Sequence, residues 1–162
     1  MAIALVPGSF DPVTYGHLDI IRRTKGLFQE VRVLVARNSS KTSLFTTEER
    51  VEMLGQLCAE MDRVVVDSFD GLLVDYARQH GATAIVKGLR FVSDFEYELQ
   101  MALANHRLNS ELETVFLPTG LQYSDLSSSI VKEIARHSGA VEGLVPEIVQ
   151  QRLRAKYANG NE

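Results

Sequence analysis

The sequence predicts an α/β domain in which a five-stranded parallel sheet is wound by helices on both faces. Three observations predict it. Short apolar runs rich in β-branched residues alternate along the chain with longer runs of helical periodicity. Strands separated by helices need crossover connections, which makes the strands parallel and covers both faces of the sheet. The polar, chemistry-bearing residues fall just after the strands, where parallel sheets of this kind bind their ligands.

The first strand is Ile3-Ala4-Leu5-Val6, and a helix follows from about Gly16 to Phe28, with Leu18, Ile20, Ile21 and Leu27 on its inner face. Between them lies Pro7-Gly8-Ser9-Phe10-Asp11-Pro12-Val13-Thr14-Tyr15, a loop with small residues at Gly8 and Ser9. Thr14 is placed to cap the helix, and His17 falls in its first turn on the same side. The second strand is Val31 to Ala36, followed by a polar loop containing Ser39-Ser40-Lys41. Thr46 and Glu49 have the spacing of a capping box and open the next helix. Val64-Val65-Val66 is the third strand, and the helix from about Gly71 to His80 stops at Gly81.

Ala84-Ile85-Val86 is the fourth strand, and a long helix runs from about Asp94 to Leu108. Its Phe95, Leu99, Ala102 and Leu103 repeat as an inner face, which predicts a core role for Phe95. Asp94 and Glu96 in its first turn complement the helix dipole. Val115-Phe116-Leu117 is the fifth strand, ended by Pro118. The last helices span Ser127 to His137, with Ile130, Val131 and Ile134 facing the core, and Pro146 to Lys156. The whole, residues 1–162, reads as a single Rossmann-like doubly wound domain with a frayed tail over 158–162.

Composition narrows the function. The net charge is −4 and no basic stripe is present, so a nucleic-acid partner is not expected. The concentrated cations suit a small phosphate-bearing ligand instead. The single cysteine, Cys58, shares a helical apolar pattern with Val51 and Leu54 and reads as a small core residue. No apolar run reaches membrane-spanning length and no leader is evident, so a cytoplasmic protein without a membrane partner is expected.

Four segments should converge at one edge of the sheet: Gly8 to His17, Ser39 to Lys41, Lys87-Gly88-Leu89-Arg90, and Tyr123 to Ser129. They supply cations, an imidazole, hydroxyls and free backbone N–H groups at helix starts, a set suited to phosphates. Each also has a plain structural reading: a solvated lysine, a capping cation, an N-cap serine. Yet a cap needs one serine, and Ser127-Ser128-Ser129 offers three. Glu98, one turn on from Asp94, can orient a basic residue or accept from a ribose hydroxyl.

The run Gly8-Ser9-Phe10-Asp11-Pro12-Val13-Thr14-Tyr15-Gly16-His17 resembles the signature of the nucleotidylyltransferases with an H/T-x-G-H motif. Lys87-Gly88-Leu89-Arg90 with Asp94-Phe95-Glu96-Tyr97-Glu98, and Ser127-Ser128-Ser129 with Val131-Lys132-Glu133, are similar to segments of the bacterial phosphopantetheine adenylyltransferases. With Lys41 and Thr46 to Arg50, the resemblance covers nearly the whole chain in order.

The resemblance implies adenylyl transfer from ATP to 4′-phosphopantetheine, giving dephospho-coenzyme A and pyrophosphate. It implies His17 as transition-state stabiliser, with Lys41 and Arg90 as further catalytic residues. It implies an ATP site of Ser9, Phe10, His17, Gly88, Leu89, Arg90, Glu98, Tyr123, Ser124, Asp125, Leu126, Ser127, Ser128 and Ser129. Ser9, Lys41, Leu73 and Lys87 would take the acceptor. Mg²⁺ would arrive with ATP and no dedicated protein metal site is expected. A homohexamer, and coenzyme A as a candidate feedback ligand, are also implied.

Two positions depart from the family pattern. Ser9 stands where many members have Thr, and Asp125 puts a carboxylate in a loop expected to cradle phosphates. The alternatives left open are a nucleotidylyltransferase with another phosphate acceptor and a non-catalytic nucleotide-binding module.

Overall fold

The structure is a computed structural model and describes residues 2–37 and 42–158. Its elements are β1 (Ile3–Gly8), α1 (Tyr15–Leu27), β2 (Glu30–Ala36), α2 (Thr47–Cys58), β3 (Val64–Phe69) and α3 (Leu73–His80). Then come β4 (Ala84–Leu89), α4 (Val92–Leu108), β5 (Glu113–Pro118), a 3-10 turn (Leu121–Tyr123), α5 (Ser128–Arg136) and α6 (Glu147–Ala158). The five strands form one parallel sheet in the order β3-β2-β1-β4-β5, as the alternation predicts.

The order reverses between β1 and β4, and the register opens there. β1 pairs with β2 from Ile3↔Glu30 to Gly8↔Val35, but with β4 only at Ala4↔Ala84 and Leu5↔Ile85. Beyond Leu5 the carboxyl ends of β1 and β4 are not paired to one another. This is the crevice in which open parallel sheets take their ligands.

Strand alternation divides the core in two. Ala4, Val6, Val31, Val33, Val35, Ala84 and Val86 pack with α1, α2, α5 and α6 on one face. Leu5, Leu34 and Ile85 pack with Val74, Tyr76 and Ala77 of α3 on the other. Leu18 and Ile21 of α1 and Met53 and Leu54 of α2 are essentially fully buried, each contributing about 1.5–3 kcal/mol by removal from water. Cys58 is buried among them, and that burial pushes its thiol up to about 11, which makes it an inert core residue.

The helix starts follow local chemistry. Thr14, Thr46 and Ser127 each accept from a backbone N–H of the helix they precede, and Glu49 reciprocates to the Thr46 N–H. Gly81 ends α3 at φ 65, a left-handed conformation that glycine adopts without a Cβ penalty.

Five expectations are corrected. Leu27, read as part of the inner face of the first helix, is exposed at the last residue of α1. The predicted inner face of α4 is not buried in this chain: Phe95, Leu99 and Leu103 are all exposed and the helix has no buried residue. Periodicity shows which residues share a face, not what covers it. Phe95 does meet Phe116 of β5 edge-on, with ring centroids 5.5 Å apart. Ile130 is exposed while Val131, the next residue, is the one buried in α5. Lys87, Gly88 and Leu89 are the last residues of β4 rather than the loop after it. Ala158 is the last residue of α6 rather than the start of a frayed tail, and 159–162 lie outside the described residues. No helix of the described residues is long and apolar enough to cross a membrane.

Candidate active site

The β1–α1 loop is built so that its side chains and amides aim in fixed directions. A Cβ on Gly8 would stand 3.0 Å from the Phe10 ring, so any larger residue there would press on the ring folded back under the loop. Phe10 itself has φ 51, in the left-handed region. Its ring is buried and meets the His17 ring edge-on, with centroids 5.0 Å apart.

His17 is oriented by Thr14. The Thr14 N–H donates to His17 Nδ1 at 3.0 Å, and the Thr14 hydroxyl lies 3.2 Å from the same nitrogen. With Nδ1 accepting, a neutral ring carries its proton on Nε2, and no partner for Nε2 is found among the described residues. Desolvation of the ring, with the Arg90 charge nearby, lowers its pKa to about 4. The imidazole is therefore neutral at pH 7 and is a hydrogen-bond donor rather than a cation.

Arg90 follows β4 and is gripped by Asp94 in the first turn of α4. Asp94 accepts from Arg90 Nε at 3.2 Å, Nη2 at 3.3 Å and the backbone N–H at 3.1 Å. Burial would raise the Asp94 carboxyl, but the hydrogen bonds and charge of Arg90 outweigh it and leave the group below its usual range. Arg90 Nη1 also donates to the Leu126 carbonyl at 3.2 Å, which ties β4 to the loop before α5.

That loop closes on α1 and on the β1–α1 loop. A Cβ on Gly16 would lie 3.5 Å from Cβ of Tyr123, and Ser128 Oγ donates to the Pro12 carbonyl at 2.7 Å. Ser127 is the N-cap of α5, with Ile130 N–H donating to its hydroxyl at 3.1 Å. Ser124 Oγ donates to the Leu121 carbonyl at 3.0 Å. Ser129 and Asp125 are exposed at the same helix start, and Asp125 has no ion pair among the described residues.

Alternation sends Lys87 and Gly88 to opposite faces. Gly88 packs on α1, where a Cβ would stand 2.9 Å from Cγ1 of Ile20. Lys87 lies on the face of α4 and pairs with Glu98 at 3.2 Å. Glu98 thus orients a basic residue, one of the two roles expected of it. Leu73 opens α3 and packs against the core of that same face. So Ser9, Phe10, His17, Gly88, Leu89, Arg90 and Tyr123 to Ser129 lie around the β1/β4 crevice, with Lys87, Glu98 and Leu73 on the α3/α4 side. Lys41 lies outside the described residues.

Leu89, Arg90, Phe91, Val92, Phe95 and Pro118 line an open apolar hollow of about 480 Å³ beside this crevice. A cavity of similar size, about 490 Å³, lies between α5 and α6 and is lined by none of the expected site residues. The first is at the carboxyl end of β4, beside Arg90, and the second is not.

Sequence reasoning missed two supporting groups. Asp11 is buried and accepts from Leu44 N–H at 3.0 Å, Phe45 N–H at 2.8 Å and Lys132 Nζ at 2.9 Å. Nothing in the sequence marks these long-range pairings. Arg50 is also buried. It stands three and four residues before Met53 and Leu54, so the helical period already put it on the inner face.

The cytidylyltransferase-like family model matches residues 5–134, from within β1 to within α5. A phosphopantetheine adenylyltransferase of Geobacter sulfurreducens is 54% identical over 156 residues, covering 96% of this chain and 95% of the relative. The chain belongs to the phosphopantetheine adenylyltransferase family. Enzymes of the same name from Geotalea daltonii and Caldanaerobacter subterraneus subsp. tengcongensis are 52% and 54% identical over 157 residues, each covering 97% of this chain and 98% of the relative. The matched segment contains the Thr14–His17 pair, Arg90 and the α5 helix start.

Proposed function

We propose that this chain transfers the adenylyl group of ATP to 4′-phosphopantetheine, giving dephospho-coenzyme A and pyrophosphate, the penultimate step of coenzyme A synthesis. The observation that carries the reading is His17: a neutral imidazole, fixed by Thr14, presents Nε2–H at the β1/β4 crevice beside the Arg90 charge.

The chemistry needs no base and no covalent nucleophile. The acceptor phosphate is already an anion, and its oxygen attacks the α-phosphorus in line as the bond to the bridging oxygen of pyrophosphate breaks. What remains for the protein is alignment and stabilisation of charge on the α-phosphoryl oxygens. His17 Nε2–H would donate there. Arg90, held by Asp94, would supply fixed positive charge. The hydroxyls of Ser127 and Ser129 and the backbone N–H groups of the α5 N-terminus, that of Ser128 included, would hold the outer phosphates, while the Ser128 hydroxyl stays on the Pro12 carbonyl. The hollow of Leu89, Phe91 and Pro118 would receive the adenine, with Ser9, Phe10 and Gly88 closing over the nucleotide.

Lys87, Leu73 and Lys41 would take the phosphopantetheine, with the Glu98 carboxylate orienting Lys87 or the nucleotide ribose. Among the described residues no three His, Cys, Asp or Glu side chains cluster as a metal cage. Mg²⁺ would accompany the triphosphate, held by phosphate oxygens and water. Asp125, exposed at the helix start, is compatible with phosphates in that loop so long as its carboxylate stays in solvent.

We read the bare apolar face of α4, with Val92 78% and Leu103 63% exposed, as surface that a homohexamer would cover. The mass of the particle in solution, against 18.0 kDa for one chain, tests this. We place the enzyme in the cytoplasm, where ATP is supplied, with coenzyme A as a candidate feedback ligand and no nucleic-acid or membrane partner.

An acceptor screen tests the function. ATP, Mg²⁺ and enzyme are incubated with 4′-phosphopantetheine, nicotinate mononucleotide or glycerol phosphate, and products are identified by mass. Dephospho-coenzyme A formed from the first is expected. Turnover with another acceptor alone would move the chain to a different nucleotidylyltransferase, and ATP binding without turnover would make it a binding module.

A further inference from the structure

Arg50 is a buried cation, 4% exposed, with four neutral oxygen partners. Its Nη1 donates to the Ser9 carbonyl at 2.7 Å and the Ala36 carbonyl at 3.3 Å. Nε donates to the Thr46 carbonyl at 3.2 Å, and Nη2 to Thr47 Oγ1 at 3.1 Å. No carboxylate lies within 4.0 Å of it among the described residues. A buried charge is costly unless it is hydrogen-bonded, and these four oxygens satisfy the Arg50 guanidinium without neutralising it.

The Ser9 carbonyl belongs to the Ser9–Phe10 peptide, which is trans. In a trans peptide the C=O and N–H point to opposite sides. With the carbonyl drawn inward to Arg50, the Phe10 N–H is turned the other way. That N–H finds no acceptor among the described residues. The left-handed φ of 51 at Phe10 costs energy in a non-glycine residue, and the Arg50 hydrogen bond to the Ser9 carbonyl is one contact that opposes its relaxation.

We propose that Arg50 is a positioning residue for the nucleotide phosphates: it locks the Ser9–Phe10 peptide with its N–H outward as an anion donor. It also places an unpaired positive charge directly behind that donor. The identity of the anion rests on the adenylyl-transfer reading; the positioning rests on the Arg50 contacts. Arg50 touches no reacting atom.

The test compares affinities for ATP and for adenosine, which lacks phosphates, in the full chain and in Arg50→Gln and Arg50→Lys. Circular dichroism first establishes that each variant is folded. Arg50→Gln should weaken ATP at least tenfold and leave adenosine within about twofold. Arg50→Lys, which keeps the charge and loses the fork, should fall between. An unchanged ratio of ATP to adenosine affinity in a folded Arg50→Gln chain overturns the proposal, because a merely structural role moves both ligands together or neither. If the Gln variant does not fold, Arg50→Lys decides, and an unchanged ratio of ATP to adenosine affinity in that folded variant overturns the proposal; the wild-type chain tests the donor. Saturating pyrophosphate should move the Phe10 amide proton downfield in ¹H–¹⁵N spectra, and an unmoved amide overturns the proposal. Loss of the adenylyl-transfer reading would show separately, as wild-type chain that forms no dephospho-coenzyme A.

Discussion

Thr14 and His17 hold each other at both ends: the Thr14 N–H donates to His17 Nδ1 at 3.0 Å, and the His17 N–H donates to Thr14 Oγ1 at 3.4 Å. One exchange of hydrogen bonds both starts α1 and fixes which ring nitrogen carries the proton. The helix cap and the functional group are the same pair of residues.

The His17 ring should titrate in the free protein near pH 4, as read from its ¹H–¹³C ring resonances. Because the folded value lies below the unfolded value of about 6.5, the unfolded chain binds more protons between the two. Stability from this group is complete above pH 6.5 or so and is lost as pH falls toward about 4. Replacing His17 by Gln should remove that part of the slope, followed by urea unfolding across the interval. A ring pKa near 6.5 would contradict the desolvated, Arg90-facing site.

Asp94→Asn should loosen Arg90 without unfolding α4. The pair is partly exposed, so the stability loss should be about 1 kcal/mol or less. The effect on ATP should be larger, roughly tenfold in kcat/KM, because the guanidinium loses its fixed direction. Steady-state kinetics at varied ATP checks this, and Asp94→Ala should be no milder.

Gly88→Ala should push β4 off α1, since the new methyl would stand 2.9 Å from Cγ1 of Ile20. Overpacking of this kind costs about 1–3 kcal/mol. A thermal midpoint lowered by several degrees, with reduced ATP affinity, is expected.

Asp11→Ala should unlock the segment after β2 from α5. It removes the acceptor of the Leu44 and Phe45 N–H groups and leaves Lys132 without its partner. Lost hydrogen bonds to a charged acceptor cost about 1.5–3 kcal/mol. Hydrogen exchange at the Leu44 and Phe45 amides should accelerate in the variant, more than at amides of α3.

The fold was legible because each strand is a short β-branched run and α1, α2 and α5 carry start signals at Thr14, Thr46 and Ser127. The crevice was legible because His17, Arg90 and the serines lie beside strand ends in the sequence itself. The fourth strand was drawn too short, since Lys87 and Gly88 look like loop residues until Glu98 and Ile20 are placed against them. The face of α4 was misread because its periodicity reports a shared side, and among the described residues that side stays exposed. Arg50 was passed over because a cation at the start of a helix reads as solvated, although its spacing from Met53 and Leu54 turned it inward. The role of Asp94 went to the helix dipole because its pairing with Arg90 needs the turn between β4 and α4 in three dimensions.

The measurement that tests the account most directly is turnover by His17→Ala with ATP, Mg²⁺ and 4′-phosphopantetheine, in a chain shown to be folded. Removing the Nε2–H donor should lower kcat at least about a hundredfold while ATP affinity changes only a few-fold, since the lost hydrogen bond belongs to the transition state. Turnover close to wild type in the folded variant would contradict the mechanism and remove His17 from its centre.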